Sequence, residues 1–369
     1  MSARAALRCL MLLGITLVAG CSDDDDSSPP DIPHAFDAVD TAARAAYAEN
    51  NVPMGLAVYA PDGTKLFEQM YGDFSADRRV AIASASKLVS GVTLFRLIDA
   101  GYLSLDSTTA QVLGWSGDKG DITLRHLLSF TSGLPPEHAC TYQSGVTLAE
   151  CVDEIAKEDL VASPGVRFDY GSTHLHVAAR MAEVSVGASW NDIYEEQIRA
   201  PLQLAPEFAF YAGPRQGIGL QPINPLPAGG MRASMNDYAS VLQFVYHKGQ
   251  WQGSQLIGPH IFDLQAMQPY PDAVMGNTPS ALNARYGLTA WLECATPATG
   301  CSTISSPGAF GFTPWLDRET GYYAILGMQL DDLRNDRGLG PRIQQTLKPL
   351  IAEAVAGMRA SQPTTLGKL

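Results

Sequence analysis

The chain has 369 residues, of which 46% are hydrophobic and 17% charged, so it carries enough apolar side chains to bury a large core in two domains or in one two-lobed unit. Its formal net charge is -13, and no block of clustered lysines and arginines offsets that charge. Because neutralising phosphates requires such clusters, this composition excludes a nucleic-acid partner.

The N-terminus carries the pattern of an export signal. Residues 1–20, MSARAALRCLMLLGITLVAG, place two arginines before an apolar run that is too short to predict a membrane span. The run ends in Val18-Ala19-Gly20-Cys21, which resembles a bacterial lipobox, so we expect cleavage before Cys21 and lipidation of its thiol. An ordinary signal peptide with a chance cysteine is the alternative. Ser22 is typical of outer-membrane sorting in Gram-negative lipoproteins, which predicts an exported protein anchored by lipid to the periplasmic side of the outer membrane.

An acidic segment follows the signal. Residues 22–33, SDDDDSSPPDIP, have almost no apolar side chains to bury, so residues 21–33 are predicted to be a lipidated cysteine followed by a disordered tether. A calcium site at the four aspartates is the alternative. Residues 34–369 then form the folded domain, in two lobes.

Four cysteines lie in the predicted folded domain. An even number of cysteines in an exported chain predicts disulfides. We favour the pairs Cys140–Cys151 and Cys294–Cys301, because each closes a short loop. A zinc site is the competing interpretation, but no CxxC or HxxxH spacing supports it.

The predicted elements begin with a helix over residues 36–50, where apolar residues recur at helical spacing. The runs Leu56–Tyr59 and Lys65–Tyr71, separated by Pro61-Asp62-Gly63, predict a β-hairpin. Ser84 begins a strongly apolar segment that predicts a buried helix ending at Gly101.

The remaining elements suggest a division of the chain into ends and middle. After a central region that reads as mostly helices and loops, residues 287–293, 309–317 and 322–328 predict strands, and residues 340–358 predict an amphipathic closing helix. Strand-forming segments therefore lie at both ends of the folded domain, with a helical region between them.

Ser84 and Lys87 form a candidate catalytic pair. On a helix, residues three apart share a face, with Cβ atoms about 5–6 Å apart. Serine is a weak nucleophile that needs a neighbouring base. A lysine buried near the positive end of a helix has its charged form disfavoured, so it can accept the serine proton. The pair thus predicts Ser-Lys nucleophilic catalysis. The second match to this spacing, Ser116–Lys119, lies among Gly and Asp and is interpreted as a loop.

Five segments in order resemble the serine β-lactamases and penicillin-binding proteins. The most similar branch contains class C β-lactamases, D-aminopeptidases and related carboxylesterases. VAIASASK (80–87) resembles the nucleophile motif, and ITLRHLLSFTSGL (122–134) resembles the stretch ending in His-Thr-Ser-Gly-Leu. FDYGS (168–172) resembles the Tyr-x-Asn motif, and PAGGMRASMND (227–237) resembles a Gly-Gly loop. SPGAFGFTPWLD (306–317) stands where the family has Lys-Thr-Gly or His-x-Gly.

This resemblance implies a β-lactamase/transpeptidase-like α+β fold. An antiparallel sheet flanked by helices would come from both chain ends, a mainly helical lobe from the middle, and the site would lie between them. By residue match, Ser84 is the nucleophile, Lys87 its base, and Tyr170 a second proton-transfer group whose pKa a neighbouring lysine ammonium would lower. The backbone N–H groups of Ser84 and Ala309 would form an oxyanion hole. The remaining expected substrate contacts are Ser172, Ser306 and Gly308.

Three departures from the family pattern bear on specificity. Ser172 replaces the usual asparagine and has a shorter reach, and Phe130 replaces a histidine, which we interpret as a packing change. Ser306-Pro307-Gly308 replaces Lys-Thr-Gly, so this segment offers no cation, and its proline has no N–H. A site without that cation is expected to bind penicillins and peptide C-termini poorly and neutral esters better. Arg285 or Arg334 are the cations that could substitute.

The sequence therefore predicts a serine hydrolase that works through an acyl-enzyme, with a small-molecule ester or amide as its substrate. A carboxylesterase acting on neutral esters is favoured, and a β-lactamase or D-amino-acid peptidase is the alternative within the same chemistry. A catalytically silent binding lipoprotein is the alternative of another class, suggested by the altered second and third motifs. We expect no metal or organic cofactor, because the sequence shows no signature for either. A metal shared by His174 and His176 is not expected, since residues two apart point to different faces of a helix.

Overall fold

The computed structural model describes residues 32–213, 222–279, 285–330 and 336–361. The predicted signal peptide, Cys21, nearly all of the predicted tether and Arg334 lie outside the described residues. The helices, in chain order, are α1 Asp37–Asn50, α2 Ser86–Asp99, α3 Thr109–Leu113, α4 Leu124–Leu128, α5 Leu148–Ile155, α6 Thr173–Val186, α7 Trp190–Tyr194, α8 Met235–Tyr246, α9 His260–Gln265 and α10 Leu339–Ser361. The strands are β1 Met54–Tyr59, β2 Lys65–Tyr71, β3 Val80–Ala81, β4 Arg167–Phe168, β5 Arg232–Ala233, β6 Gln250–Trp251, β7 Ser254–Gln255, β8 Val274–Met275, β9 Arg285–Tyr286, β10 Trp291–Leu292, β11 Thr303–Ser305, β12 Thr313–Asp317 and β13 Tyr322–Met328.

A seven-stranded antiparallel sheet joins the two ends of the folded domain, in the order β2-β1-β13-β12-β11-β10-β9. Its centre pairs Leu56 with Leu326 and Ala57 with Ile325. Because side chains alternate along a strand, Leu56 and Leu326 pack with α1 and α10 on one face. Ala57 and Ile325 belong to the larger core shared with the helical lobe. The prediction of a sheet built from both chain ends, with helices between, is confirmed.

The helical lobe is organised around α2. Every residue from 85 to 95 is buried, which explains why this helix is apolar on all sides. Gly91 allows the turn between β9 and β10 to approach closely, since a Cβ atom there would lie 1.8 Å from Oγ1 of Thr289. This packing fixes the start of α2 against the edge of the sheet.

Two predicted strands differ from the structure. Residues 287–293 do not form one strand: β9 ends at Tyr286, and Thr289 adopts a φ of 61° in the turn before β10. In the segment 309–317 the strand begins only at Thr313, after a turn in which Gly311 has a φ of 95°. A run of apolar residues indicates that a segment is buried, but a buried turn and a buried strand can have the same apolar composition.

The other predicted elements agree with the structure. The helix over 36–50, the first hairpin and the closing helix are all present. Both expected disulfides are formed, with Cα–Cα distances of 5.3 Å for Cys140–Cys151 and 5.7 Å for Cys294–Cys301. Among the described residues, no helix combines the length and apolar character needed to cross a bilayer.

Candidate active site

A cavity of about 660 Å³ lies where the start of α2 meets the segments that follow β4 and β11. Four of the five motif segments contribute to its wall. They supply Ser84 and Lys87, Tyr170 and Ser172, Ala228, and Ala309. A second cavity, of about 350 Å³, lies beside Trp251 and contains none of these residues. The larger cavity therefore brings together most of the residues that the sequence selected.

Ser84 sits in a tight turn immediately before α2, within the single 3-10 turn Ala83–Ala85. Ala83 has a φ of 45°, a conformation that is uncommon for any residue other than glycine and that is often found at functional sites. The Oγ of Ser86 donates to the Ala83 carbonyl at 2.6 Å, and the hydroxyl of Tyr238 donates to the Ala85 carbonyl at 2.7 Å. These bonds fix the backbone on both sides of Ser84, whose side chain lines the cavity.

Lys87 is the partner of Ser84 inside the cavity. Its Nζ lies 3.0 Å from Ser84 Oγ and donates to the Ala228 carbonyl at 2.7 Å. Lys87 is only 3% exposed to solvent. This burial lowers the pKa of Lys87 to about 7, although the carboxylate of Glu137 acts in the opposite direction. At neutral pH a large fraction of Lys87 is therefore an uncharged amine that can take a proton from the serine.

Tyr170 completes the group, but its protonation differs from the expectation. Burial raises the pKa of Tyr170 above its ordinary value, while hydrogen bonding with Ser84 and Trp291 lowers it to a smaller extent. The predicted lowering by a lysine ammonium is wrong, because burial dominates and because Lys87, with a pKa of about 7, is no longer an ammonium at the pH where a phenol titrates. Its Nζ lies over the phenol ring, 4.6 Å from the centroid. Tyr170 is thus a neutral phenol beside Ser84, suited to donate a proton.

The backbone of Tyr170 is fixed by a neighbouring segment. Its N–H donates to the Asn277 carbonyl at 2.7 Å, and the side-chain amide of Asn277 donates to the Tyr170 carbonyl at 2.8 Å. Asn277 also lines the cavity. The sequence reasoning did not select this residue, because no motif joins it to Tyr170.

A cluster of aromatic side chains packs around the phenol ring of Tyr170. Phe130 is fully buried, stacks on His174 with ring centroids 5.0 Å apart, and lies 5.4 Å from the ring of Tyr170. Trp291 contacts the other side of Tyr170 at 5.1 Å. The interpretation of Phe130 as a packing change is confirmed. His174 is buried, accepts from the hydroxyl of Ser132 and donates to a backbone carbonyl, which leaves it no role in proton transfer at the nucleophile.

The segment that replaces Lys-Thr-Gly packs directly against the nucleophile. The hydroxyl of Ser306 is buried and donates to the carbonyl of Ser84 at 3.2 Å. Gly308 must be glycine, since a Cβ atom there would lie 2.1 Å from the carbonyl oxygen of Ile82. Gly308 and Ala309 line the cavity beside Ser84. The expected substrate contact of Ser306 is thus replaced by a bond to the backbone of the nucleophile.

A hydrogen-bonded group forms the outer wall of the cavity near Ser172. The hydroxyl of Tyr142 lies 3.0 Å from Ser172 Oγ and donates to Oε2 of Glu137 at 2.9 Å. Sequence reasoning missed Glu137 and Tyr142. Their only signal is their position a few residues after the second motif segment, on either side of Cys140.

Charged groups at the cavity mouth also differ from the expectation. Arg285 lies on β9 and is exposed, outside the cavity wall. Within the part of the chain that the structure describes, the arginine that lines the cavity is Arg337, just before α10. Among the described residues, no cluster of three or more His, Cys, Asp or Glu side chains could hold a metal ion. The described site is therefore a serine, an amine with a pKa of about 7 and a phenol, with a carboxylate and a guanidinium at the mouth.

Comparisons with known proteins show which family and fold the chain as a whole resembles. The family model described as Beta-lactamase matches residues 39–348. Penicillin-binding protein 4 of Amycolatopsis lactamdurans is 32% identical over 127 residues, which cover 33% of this chain and 33% of that protein. The match thus spans about a third of that relative's length.

Solved structures extend the similarity over most of the chain. A protein assigned to the beta-lactamases, from Bacteroides dorei DSM 17855, is 28% identical with a TM-score of 0.76, covering 87% of this chain and 98% of that one. EstCE1, described as a hydrolase with promiscuous acyltransferase activity, is 17% identical with a TM-score of 0.66, covering 88% of this chain and 99% of that one. At that identity EstCE1 shows a shared fold only.

Proposed function

Because this chain belongs to the beta-lactamase family of serine hydrolases, we propose that it cleaves small-molecule carboxylic esters through a covalent acyl-enzyme on Ser84. The observation that carries the proposal is the contact of Ser84 Oγ with an amine, Lys87 Nζ, at 3.0 Å. The pKa of that amine is lowered to about 7, which makes it a base near neutral pH.

Acylation follows from this geometry. Ser84 Oγ attacks the ester carbonyl carbon and its proton passes to Lys87 Nζ. The oxyanion that forms would accept hydrogen bonds from the backbone N–H groups of Ser84 and Ala309, which lie together on the cavity wall. When the carbon–oxygen bond of the alcohol breaks, Tyr170 donates its phenol proton to the leaving oxygen and recovers a proton from the Lys87 ammonium.

Deacylation reverses these proton transfers. A water molecule attacks the acyl carbon and gives its proton to the Lys87–Tyr170 pair, whose members lie beside each other in the cavity. As the acyl bond to Oγ breaks, Ser84 recovers a proton and the carboxylic acid leaves. The cycle needs no group beyond these three side chains, the two N–H groups and water.

The preference for neutral esters rests on the segment that replaces Lys-Thr-Gly. Ser306 brings no charge to the cavity, and its hydroxyl is engaged with the backbone of Ser84. A substrate carboxylate therefore has no cation to bind in this segment, whereas an uncharged ester does not need one.

The test is hydrolysis of p-nitrophenyl acetate and butyrate beside a chromogenic cephalosporin, with the wild type and with Ser84→Ala. We expect ester turnover with little cephalosporin turnover, and a loss of ester turnover by about 10³-fold or more in the variant. Circular dichroism should show an unchanged fold, since Ser84 is only partly buried. Ester turnover that persists in the variant would contradict a nucleophilic Ser84.

A second candidate function, hydrolysis of β-lactams or D-amino-acid peptides that carry a carboxylate, is favoured by one observation. Arg337 lines the cavity, and its guanidinium is a group that binds carboxylates in a bidentate manner. If this function is the correct one, wild-type protein turns over the cephalosporin efficiently, and Arg337→Ala lowers that turnover about tenfold relative to butyrate.

A silent binding module is distinguished by covalent labelling. A fluorophosphonate probe should label the wild type at Ser84 and leave Ser84→Ala unlabelled. Absence of both labelling and turnover would favour binding without catalysis.

We also propose that the protein is exported and anchored by a lipid on Cys21, on the support of the sequence Val18-Ala19-Gly20-Cys21. Cys21→Ser should move the protein from the membrane fraction to the soluble fraction. Continued sedimentation with membranes would contradict lipidation.

A further inference from the structure

The outer wall of the cavity has a hydrogen-bond direction that the atoms themselves determine. Tyr142 has one hydroxyl proton, and it is donated to the carboxylate of Glu137 at 2.9 Å. The contact of 3.0 Å between Tyr142 and Ser172 must therefore be made by the Ser172 proton. The protons run in one direction, from Ser172 through Tyr142 to Glu137.

This direction leaves only acceptors for a bound molecule. Both hydroxyl protons are used within the relay, so Ser172, Tyr142 and Glu137 offer lone pairs to the cavity and no donor. The amide of the asparagine that Ser172 replaces would offer both a donor and an acceptor. A substrate group that only accepts hydrogen bonds finds no donor among these three side chains, while a group with several N–H donors finds three acceptors.

Charge adds to the same preference. Glu137, Tyr142 and Ser172 line the same cavity as Ser84. The carboxylate of Glu137 acts electrostatically on Lys87, Tyr170 and Tyr142, so its field reaches the reacting atoms. Arg337, the opposite charge at the mouth, acts on Tyr142. Glu137 is thus the charge that acts on the catalytic pair, whereas Arg337 acts on the middle of the relay, at Tyr142.

We propose that Glu137, Tyr142 and Ser172 form a subsite for an ammonium group carried by the acyl part of the substrate. This inference rests on the proposed ester hydrolysis and names its substrate class, aminoacyl esters or amides. The acyl part is the one selected because it stays bound to Ser84 after the alcohol has left, next to a wall that begins two residues after Tyr170.

The test compares pairs of esters that differ only in charge. p-Nitrophenyl β-alaninate is paired with p-nitrophenyl butyrate, and p-nitrophenyl ε-aminocaproate with p-nitrophenyl heptanoate, so that two chain lengths are sampled. For each pair the ratio of kcat/KM, ammonium over alkyl, is measured in wild type and variants. Comparing this ratio between variants cancels the different intrinsic reactivities of the two esters.

In Glu137→Gln we expect the ratio to fall about tenfold for at least one pair, because the charge-assisted acceptor is lost. Tyr142→Phe, which breaks the relay, should lower it about threefold. The matched control is Glu154→Gln, an exposed carboxylate on α5 that does not line the cavity, and it should leave the ratio unchanged.

The outcomes separate this proposal from the proposed function. Turnover that depends on Ser84, with a ratio unchanged in Glu137→Gln for both pairs, overturns the ammonium subsite and leaves ester hydrolysis standing. If no ester is turned over, the same comparison is made on labelling rates of an ω-aminoalkyl fluorophosphonate and its alkyl isostere. A ratio that falls in Glu137→Gln then supports the subsite without ester hydrolysis, and an unchanged ratio or no labelling overturns it.

Discussion

The inner wall of the cavity, formed by Ser84, Lys87 and Tyr170, and the outer wall at its mouth differ in how much solvent reaches their charged groups. On the inner wall, Lys87 is 3% exposed, and burial lowers its pKa to about 7. On the outer wall, Glu137 and Arg337 are exposed side chains that lie at the mouth. Burial disfavours the charged form of Lys87 because water is removed from it, whereas the two outer side chains stay in contact with solvent.

This difference separates reactivity from selection. The inner wall needs one precise arrangement, so its turn is fixed by buried bonds such as that from Tyr238 to the Ala85 carbonyl. The outer wall can vary without disturbing that arrangement, since Tyr142 is bonded to Ser172 and Glu137 acts on Lys87 and Tyr170 through space. Variants on the inner wall should therefore change kcat by orders of magnitude, and variants on the outer wall should change substrate ratios and pH dependence.

The largest effect on the inner wall, apart from loss of the nucleophile, is expected for Lys87→Met. Removing the base should lower kcat/KM for p-nitrophenyl butyrate by about 10³-fold. A stopped or continuous spectrophotometric assay at several pH values measures this. A variant that retained more than about a tenth of wild-type activity would show that another group takes the serine proton.

The same variant should be more stable than the wild type. The folded-state pKa of Lys87, about 7, is below its unfolded value of 10.5, so the unfolded chain binds more protons between these pH values. Stability therefore rises with pH across this window in the wild type and is reduced at neutral pH. Lys87→Met removes that penalty, and thermal unfolding at pH 7 and pH 9 should show a gain in Tm that is larger at pH 7. A fall in Tm at both pH values would mean that the bond to Ala228 outweighs the burial of charge.

Tyr170→Phe should have a smaller effect that depends on the leaving group. The phenol is a neutral donor, so its loss matters most when the departing oxygen is a strong base. We expect kcat/KM, which reports acylation, to fall about 10²-fold for ethyl butyrate and about tenfold for p-nitrophenyl butyrate, whose leaving group needs no proton. Equal losses of kcat/KM on both esters would mean that Tyr170 does not protonate the leaving oxygen.

The inner wall was the part of the site that could be predicted from sequence. Ser84, Lys87 and Tyr170 lie in short segments with characteristic spacing, and the structure brings all three to one cavity. The two disulfides were also predictable, because each closes a loop of eleven or seven residues. In these cases the partners are either close in sequence or lie in segments that resemble a known pattern.

The outer wall could not be predicted, because its contacts join residues without a local pattern. Tyr142 meets Ser172 across 30 positions, and Arg337 reaches the cavity only through the packing of α10 on the sheet. The prediction that the pKa of Tyr170 is lowered was wrong for a related reason. It depends on how deeply both Lys87 and Tyr170 are buried, and a spacing of residues does not contain that quantity.

The smallest expected effect is a shift in the pH dependence of activity, caused by the charge of Glu137 on the outer wall acting on Lys87 on the inner wall. Lys87 must be uncharged to act as a base, so kcat/KM for p-nitrophenyl butyrate should rise with pH through about 7. The carboxylate of Glu137 raises the pKa of Lys87, and Glu137→Gln should therefore move this rise to lower pH, by less than about one unit for an exposed charge. The displacement should shrink as salt is added, because salt screens exposed charges. Glu154→Gln, the distant exposed carboxylate, should leave the profile in place. A rise that moved equally in both variants would reflect overall charge, and a rise that moved to higher pH in Glu137→Gln would contradict the electrostatic link between the walls.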